Sequence, residues 1–334
     1  MDAKITKTRL GRLLSYDWLK IVGVIAAVIL VWSLIFTMTA TRITPAQQFH
    51  VLNYVGNYSF GDSFQKMYKG AKDELSYEVM ELHSEDLSAN KQYLTTLMEA
   101  RLATYEADVM FVADIDDPDT DYKDEKGETQ YKHTYLETFI MRYRYSLYNL
   151  SDPTVDENSY FKKMETYLNL YYKGDWTNED NLSKEVVEKD FRARVKKNKD
   201  KRYKTEKQIV AGIEKDIERI EKYRDGLATF YENVKNGYIA YNHVEFTYES
   251  GEDVTTINGY TLNLCPNESM KNLKDYVSYP VVEIDESGNK TSVKSAENMN
   301  VAFFNAGKEM EEGFQYENVL FINYLVEQCL SASK

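Results

Sequence analysis

Residues 107–113 read Ala107-Asp108-Val109-Met110-Phe111-Val112-Ala113, a run in which apolar side chains occupy both odd and even positions. A strand that is covered on one face alternates apolar and polar residues, whereas a strand buried on both faces is apolar throughout. Strands of the second kind are typical of parallel sheets, whose crossover helices cover both faces. The run therefore predicts a central strand of an α/β fold.

The residues before this strand complete a β-α-β-α-β unit. Phe49–Val55 and Tyr77–Leu82 are short apolar runs that predict the first and second strands. Between them, residues 62–71 place apolar side chains on one helical face, and residues 88–105 do the same before the third strand. Alternation of strands and helices predicts a parallel sheet with right-handed crossovers.

The remaining chain predicts a helical region and then a second group of strands. A basic run, Arg192 to Lys207, precedes apolar residues that recur at steps of three and four up to Val234, which predicts a helical hairpin. Asp285 to Asn289 is typical of a β-hairpin turn. We expect a basic tail (1–20), a transmembrane helix (21–40), a linker (41–48), an α/β lobe (49–150), a mainly helical region with the basic hairpin (151–236), and strands, a hairpin and a closing helix (237–334).

The N-terminus predicts a membrane anchor. Ile21 to Ala40 are twenty residues without a formal charge, enough at about 1.5 Å per residue to cross a hydrocarbon core of roughly 30 Å. Five cations and two acids precede this span, which places the tail in the cytoplasm and the C-terminal domain outside the cell. The alternative is a cleaved signal peptide, but its apolar core is usually shorter, about 7–15 residues.

The net charge argues against nucleic-acid binding, and the cysteine content bears on disulfide formation. The chain carries −13 and its first twenty residues carry +3, so the remainder carries −16. A surface of this sign repels nucleic acid, and we expect no nucleic-acid partner. Cys265 and Cys329 both follow the membrane span, and the sequence leaves open whether they form one disulfide or two free thiols.

One segment resembles a known family. Tyr93-Leu94-Thr95-Thr96-Leu97, followed by Ala107 to Val112, resembles the helix-to-strand segment of extracellular solute-binding proteins of bacterial ABC transporters. The resemblance lies mainly in residues 49–113 and implies a periplasmic-binding-protein-like lobe with a parallel sheet and a helical insertion. The chain departs from the family in two respects. It has no lipobox cysteine, and the basic hairpin stands where strands of a second lobe are expected.

The resemblance and the strand positions predict a ligand site. Ligands of open α/β sheets bind outside the carboxyl ends of the strands. Tyr54, Asn57 and Tyr58 follow the first strand, Asp114 follows the third, and Trp176 could add a second aromatic ring. Tyrosine rings stack on sugars, and carboxylates and amides bind their hydroxyl groups. The alternative is that these are ordinary loop residues of a lobe that has lost its ligand.

Catalytic and metal motifs are weak. The four histidines form no metal-spaced pair, and the sequence has no nucleophile elbow and no Gly-rich phosphate loop, so we expect neither an enzyme nor a cofactor. Acidic residues between 117 and 128 match five ligand positions of an EF-hand-like calcium loop. Position six, however, is Tyr122 rather than glycine, which favours a solvated acidic loop.

Two functional hypotheses follow. In the first, the chain is a single-pass protein of the cell membrane whose extracellular domain captures a solute, such as a saccharide, for a transporter or sensor. In the second, a degenerate solute-binding fold serves as a non-catalytic scaffold or accessory subunit of a cell-surface membrane assembly, with membrane transporter subunits among its partners. The polar strand ends favour the first hypothesis, and the altered second lobe favours the second.

Overall fold

The computed structural model describes Gly11 and residues 18–39, 43–54, 60–87, 92–123, 126, 129–250, 253–284, 289–305 and 314–332. The chain divides into two compact units, Met1–Arg42 and Ile43–Lys334. The fold is mixed α/β, with an N-terminal apolar helix and a sheet that contains parallel strands.

The first unit contains helix α1, Trp18–Thr39. Its most apolar part has a mean hydropathy of 2.6, and the helix is long and apolar enough to cross a membrane. Length and composition alone give this result. The predicted span 21–40 begins three residues later and ends one residue beyond this helix.

The second unit alternates strands and helices in its first half. It begins with β1 (Gln48–Asn53), α2 (Asp62–Glu74), β2 (Glu81–Asp86), α3 (Leu94–Ala103), β3 (Val109–Ala113), β4 (Asp121–Lys123), β5 (Thr129–Tyr131) and α4 (Tyr135–Tyr143). Three helices follow, α5 (Tyr160–Tyr171), α6 (Lys184–Asn198) and α7 (Glu206–Lys235). The chain continues with β6 (Ala240–Ser250), β7 (Asp253–Asn263), β8 (Tyr279–Ile284), β9 (Lys290–Ser295), β10 (Met299–Phe303) and α8 (Glu317–Ser331).

The main sheet has six strands in the order β2-β1-β3-β10-β7-β6. Strand β1 pairs in parallel with both β2 and β3, and His50 lies opposite His83 while Leu52 lies opposite Met110. Strand β10 is antiparallel to β3 and to β7, with Val301 opposite Phe111. Strands β4–β5 and β8–β9 form two separate two-stranded ribbons. All five residues of β3 are buried, as the sequence predicts.

Each face of the main sheet carries its own hydrophobic core. Helices α2, α5, α6, α7 and α8 pack on the face that presents Val51 and Phe111, and we call it the α2 face. Helices α3 and α4 pack on the opposite face with Leu52 and Met110, and we call it the α3 face. Helices on both faces explain why β3 is apolar at every position.

The structure differs from the predicted elements in three places. Strand β2 begins at Glu81 rather than Tyr77, because side-chain contacts fix the preceding segment: Ser76 N donates to Glu317 Oε2 at 2.9 Å, and Glu78 pairs with Arg202. The acidic loop after β3 contains the ribbon β4–β5. Strand β10, which the sequence does not predict, lies in the middle of the sheet.

Candidate functional site

The chain reverses its direction of winding at β1. Helix α2, which connects β1 to β2, buries Phe64 and Met67 on the α2 face. Helix α3, which connects β2 to β3, buries Met98 on the α3 face. Helix α4, which follows β3, buries Phe139 on the α3 face, so the helices that follow the neighbouring strands β1 and β3 cover opposite faces, as at the ligand-binding edge of open α/β sheets.

Both strand ends are held by backbone hydrogen bonds. Tyr54 N, one residue beyond β1, donates to Phe111 O at 2.9 Å, so the chain stays beside β3. Asp114 N, one residue beyond β3, donates to Asn298 O at 2.9 Å. The two ends are therefore fixed relative to each other and to the start of β10.

A cleft of about 310 Å³ lies at this edge of the sheet, on the α3 face. This volume is at the lower limit of pockets that bind small molecules, roughly 300–1,000 Å³. It is lined by Tyr54, Leu94, Thr95, Asp117, Asp119, Thr120, Tyr135, Thr138, Met141 and Arg142.

Helix α4 positions one wall of the cleft. Its N-cap Thr134 accepts a hydrogen bond from Glu137 N, and the Glu137 side chain accepts one from Thr134 N, which together form a capping box. Thr138 and Arg142 are four residues apart and so lie on the same side of the helix. The cap therefore fixes the helix that carries both side chains into the cleft lining.

Asp117 is the buried carboxylate of the cleft. Its side chain is almost completely covered, and its two oxygens accept hydrogen bonds from Asp119 N at 3.0 Å and Thr138 Oγ1 at 3.2 Å. An ionised carboxylate can accept about four hydrogen bonds, so these two contacts leave acceptor capacity for a ligand.

Arg142 supplies the positive charge. Its Nη1 donates to Thr95 Oγ1 at 2.9 Å, which joins α4 to the first turn of α3. A guanidinium has five N–H donors, so most remain for solvent or ligand. The cleft thus combines two carboxylates, one guanidinium and three threonine hydroxyls, a set suited to a small polar molecule.

Tyr54 lines the cleft but is only 3% exposed. Its ring packs edge-on against Phe139 at a centroid distance of 5.1 Å, and against Tyr143 at 6.5 Å. Burial raises the pKa of the Tyr54 hydroxyl well above its ordinary value, although the charge of Arg142 opposes this effect. Tyr54 therefore stays a neutral hydrogen-bonding group and offers a ligand little ring area for stacking.

The other predicted site residues have different positions. Asn57 and Tyr58 lie outside the described residues. Asp114 follows β3 and is half-buried, but does not line the cleft. Trp176 packs on the α2 face, with its ring centroid 6.2 Å from that of Tyr231. The sheet therefore separates Trp176 from Tyr54.

Sequence reasoning did not select Asp117 or Arg142 for the ligand site. Asp117 belongs to the acidic loop that the EF-hand comparison singled out, so its cluster of acids was a usable signal. No comparable sequence signal marked Arg142, because its position on α4 resembles that of any exposed helical arginine. Among the residues that the structure describes, no three histidine, cysteine or acidic side chains are grouped to hold a metal ion.

Comparison with protein-family models, curated proteins and solved structures finds no match to this chain.

Proposed function

We propose that this chain is a membrane-tethered binding protein that holds a small polar solute in the cleft at the carboxyl ends of β1 and β3. The observation that carries the proposal is the coincidence of two features. The crossover helices change faces at β1, and the cleft lined by Asp117 and Arg142 lies at that point. Ligands of open α/β sheets bind at such positions.

The sheet also supports a resemblance to the first lobe of solute-binding proteins. Strands β2, β1 and β3 are adjacent, parallel and joined by helices on opposite faces. The described part of the chain has only one large sheet, so capture by this protein would use one lobe rather than closure between two. Fold alone does not establish function, and the proposal therefore rests on the cleft.

A polyhydroxylated solute such as a saccharide fits the lining. Asp117 and Asp119 accept hydrogen bonds from hydroxyl groups, and Arg142 donates to ring or hydroxyl oxygens. Because the Tyr54 ring is buried, such a ligand would be held mainly by polar contacts and only slightly by stacking.

A thermal-shift panel tests the proposal. The full-length protein in detergent micelles is heated with sugars, oligosaccharides, amines and peptides. A ligand that binds only the folded state at a hundredfold excess over Kd adds about 2.7 kcal/mol of stability. We expect at least one sugar to raise the Tm, and Arg142→Met to abolish that rise without lowering the unliganded Tm, because Arg142 is exposed.

Two control variants define the site. Lys163→Met removes an exposed charge from α5 and should leave the ligand-induced shift unchanged. Trp176→Phe, on the α2 face, should also leave it unchanged. If Trp176→Phe abolished the shift and Arg142→Met did not, the solute would bind on the α2 face. A panel without any shift would contradict solute capture.

The second candidate is an accessory subunit of a membrane assembly, and the ribbon β8–β9 favours it. Val282 and Ile284 are 59% and 63% exposed on this ribbon, which pairs with no other strand among the described residues. Isolated two-stranded ribbons are marginally stable in water, and exposed apolar patches are typical of interaction sites.

A size measurement separates the two candidates. If the ribbon contacts another subunit, the Val282→Lys/Ile284→Lys double variant should migrate as a smaller species than the wild type when native membranes are solubilised in mild detergent. Thr255→Lys/Thr256→Lys places the same charges on exposed positions of β7, in the main sheet, and should leave the complex intact. Equal sizes for all three proteins would contradict the accessory-subunit function.

A further inference from the structure

The turn between α6 and α7 carries an unusual concentration of positive charge. Residues 192–207 contain nine basic and two acidic residues, a net charge of +7. Since the whole chain carries −13, all other residues together carry −20. One end of a helical hairpin is therefore opposite in sign to the rest of the molecule.

Arginines and lysines have different roles in this segment. Arg194 Nη2 donates to buried Asp216 at 2.7 Å, and Arg202 pairs with Asp200 and Glu78 at 2.7 and 2.9 Å. Arg192 pairs with Glu188 at 2.8 Å and with Glu206 at 2.5 Å. All three arginines of the segment therefore form ion pairs within the protein. Two of these pairs neutralise the acids of the segment, Asp200 and Glu206.

The lysines are left at the surface. Six exposed lysines, which we call the lysine tip, occupy the last turn of α6, the connecting turn and the first turn of α7: Lys196, Lys197, Lys199, Lys201, Lys204 and Lys207. All but Lys201 are without an ion pair in the part of the chain that the structure describes.

The backbone under the lysine tip is rigidly held. Lys199 ends α6 in the left-handed conformation, with φ of +50°, and Asp200 N donates to Val195 O at 3.1 Å. Asp200 accepts from both the backbone and the guanidinium of Arg202. The six lysines therefore extend from two helix ends and a hydrogen-bonded turn rather than from an irregular tail.

The lysine tip adjoins the point where the chain enters the second unit. Glu78 Oε2, which accepts from Arg202, also accepts from Gln47 Nε2 at 3.4 Å. Gln47 belongs to the first short turn of this unit, four residues after Ile43. Only residues 40–42 separate Ile43 from the end of α1. The segment that contacts Glu78 therefore follows the anchor within a few residues along the sequence.

We infer that the lysine tip binds the anionic phospholipid headgroups of the membrane in which α1 is anchored, and so fixes the orientation of the extracellular domain on the bilayer. Lysines near an anionic lipid surface are attracted by its potential, and the effect is confined to roughly a Debye length, about 8–10 Å. The anchor keeps this surface within reach at high effective concentration. The acidic remainder of the domain is repelled, so only the tip faces the bilayer. This inference does not depend on solute capture.

Residue-resolved lysine acylation tests the inference on the full-length protein in nanodiscs. Labelling at low salt is compared between discs of phosphatidylglycerol and discs of phosphatidylcholine. A stabilisation of about 1 kcal/mol per lysine corresponds to roughly fivefold, so we expect tip lysines to label about fivefold more slowly in the anionic discs. This protection should disappear at 0.5 M salt, where screening is strong.

Matched variants supply the control. Lys196, Lys197, Lys199 and Lys204 are replaced together by Gln, and the remaining Lys201 and Lys207 should then lose their protection. The control variant replaces Lys163, Lys173, Lys271 and Lys274, four exposed lysines elsewhere, and should keep the tip protected. Equal labelling of tip lysines in both lipids would overturn the inference, as would a failure of the protein to insert into discs. Protection that requires added soluble polyphosphate, and not anionic lipid, would overturn it in favour of a polymer ligand.

Discussion

Asp216 is a buried charge that several polar groups hold in place. Its side chain is fully buried in α7, and Oδ1 accepts hydrogen bonds from Arg219 Nε at 2.8 Å, Arg194 Nη2 at 2.7 Å and the Tyr77 hydroxyl at 3.1 Å. Burial by itself would raise the pKa of this carboxyl, but the two guanidinium groups outweigh it and hold the pKa below its ordinary value. The carboxylate therefore balances the positive charge of two arginines. One of them, Arg219, is itself fully buried.

Asp216→Asn should lower the free energy of unfolding by about 3–5 kcal/mol, because it removes the buried negative charge that both Arg219 and Arg194 contact. Denaturant titration at pH 7 measures the loss, and Glu218→Gln, an exposed change on the same helix, should alter the free energy of unfolding by less than about 0.5 kcal/mol.

The contribution of Asp216 to stability should also depend on pH. Since the folded-state pKa of Asp216 is depressed, this contribution is complete above the ordinary pKa of about 4 and is lost as the pH falls through the folded value. The difference in unfolding free energy between the wild type and Asp216→Asn should therefore become smaller in that pH range. A constant gap down to pH 2 would contradict this role.

The two cysteines differ in burial, and this predicts different reactivities. Neither forms a disulfide in the structure. Cys329 is fully buried in α8, and burial raises the pKa of its thiol to about 12, whereas Cys265 is half-buried with a smaller rise. Only the thiolate reacts with disulfide reagents. We expect one thiol to react at pH 8 in the native protein and the second only after denaturation. Two fast thiols, or none, would contradict the packing around Cys329.

At the scale of elements, the contact between α6 and α7 depends on Gly212. A methyl group added there would lie 2.3 Å from Phe191 Cζ and 2.6 Å from Tyr203 Cε1. Two aromatic rings that pack against each other at 4.9 Å cannot both withdraw without opening the hairpin.

Gly212→Ala should therefore destabilise the protein by about 1–3 kcal/mol, even though alanine is the better helix former by about 1 kcal/mol. Thermal unfolding followed by circular dichroism measures the change. The matched control, Ala211→Gly, lies at an exposed position of the same turn and should cost only the propensity difference of about 1 kcal/mol. A rise in Tm for Gly212→Ala would mean that the rings move apart without cost.

At the scale of the whole molecule, the orientation of the chain in the membrane can be tested. The excess of cations before α1 predicts that the first twenty residues lie in the cytoplasm and the second unit outside. Protease added to intact cells should then degrade residues beyond 43 and spare a tag on the N-terminus. A C-terminal tag that survives the protease would show that the topology is the reverse of this prediction. A mature N-terminus near Thr41 would show that the apolar span is a cleaved signal peptide.

Some features of this protein follow from local sequence alone. The apolar span behind α1, the uniformly apolar β3 and the periodic apolar residues of α5 and α8 each reflect a preference that a short segment expresses regardless of its partners. The parallel pairing of β1 and β3, which brings their carboxyl ends to the same edge of the sheet, followed as well, because alternating strands and helices predict a parallel sheet.

Other features depended on contacts between distant segments. Strand β10 pairs with β3 although about 190 residues separate them, and its five residues alone do not specify that neighbour. Asp117 and Arg142 line one cleft only because α4 packs over the end of β3. Arg219 has the sequence context of a surface arginine and is buried because Asp216, Tyr167 and Phe314 surround it. Hydrophobic periodicity is a local property of the chain, whereas strand pairing and charge burial are decided by the free energy of the complete core.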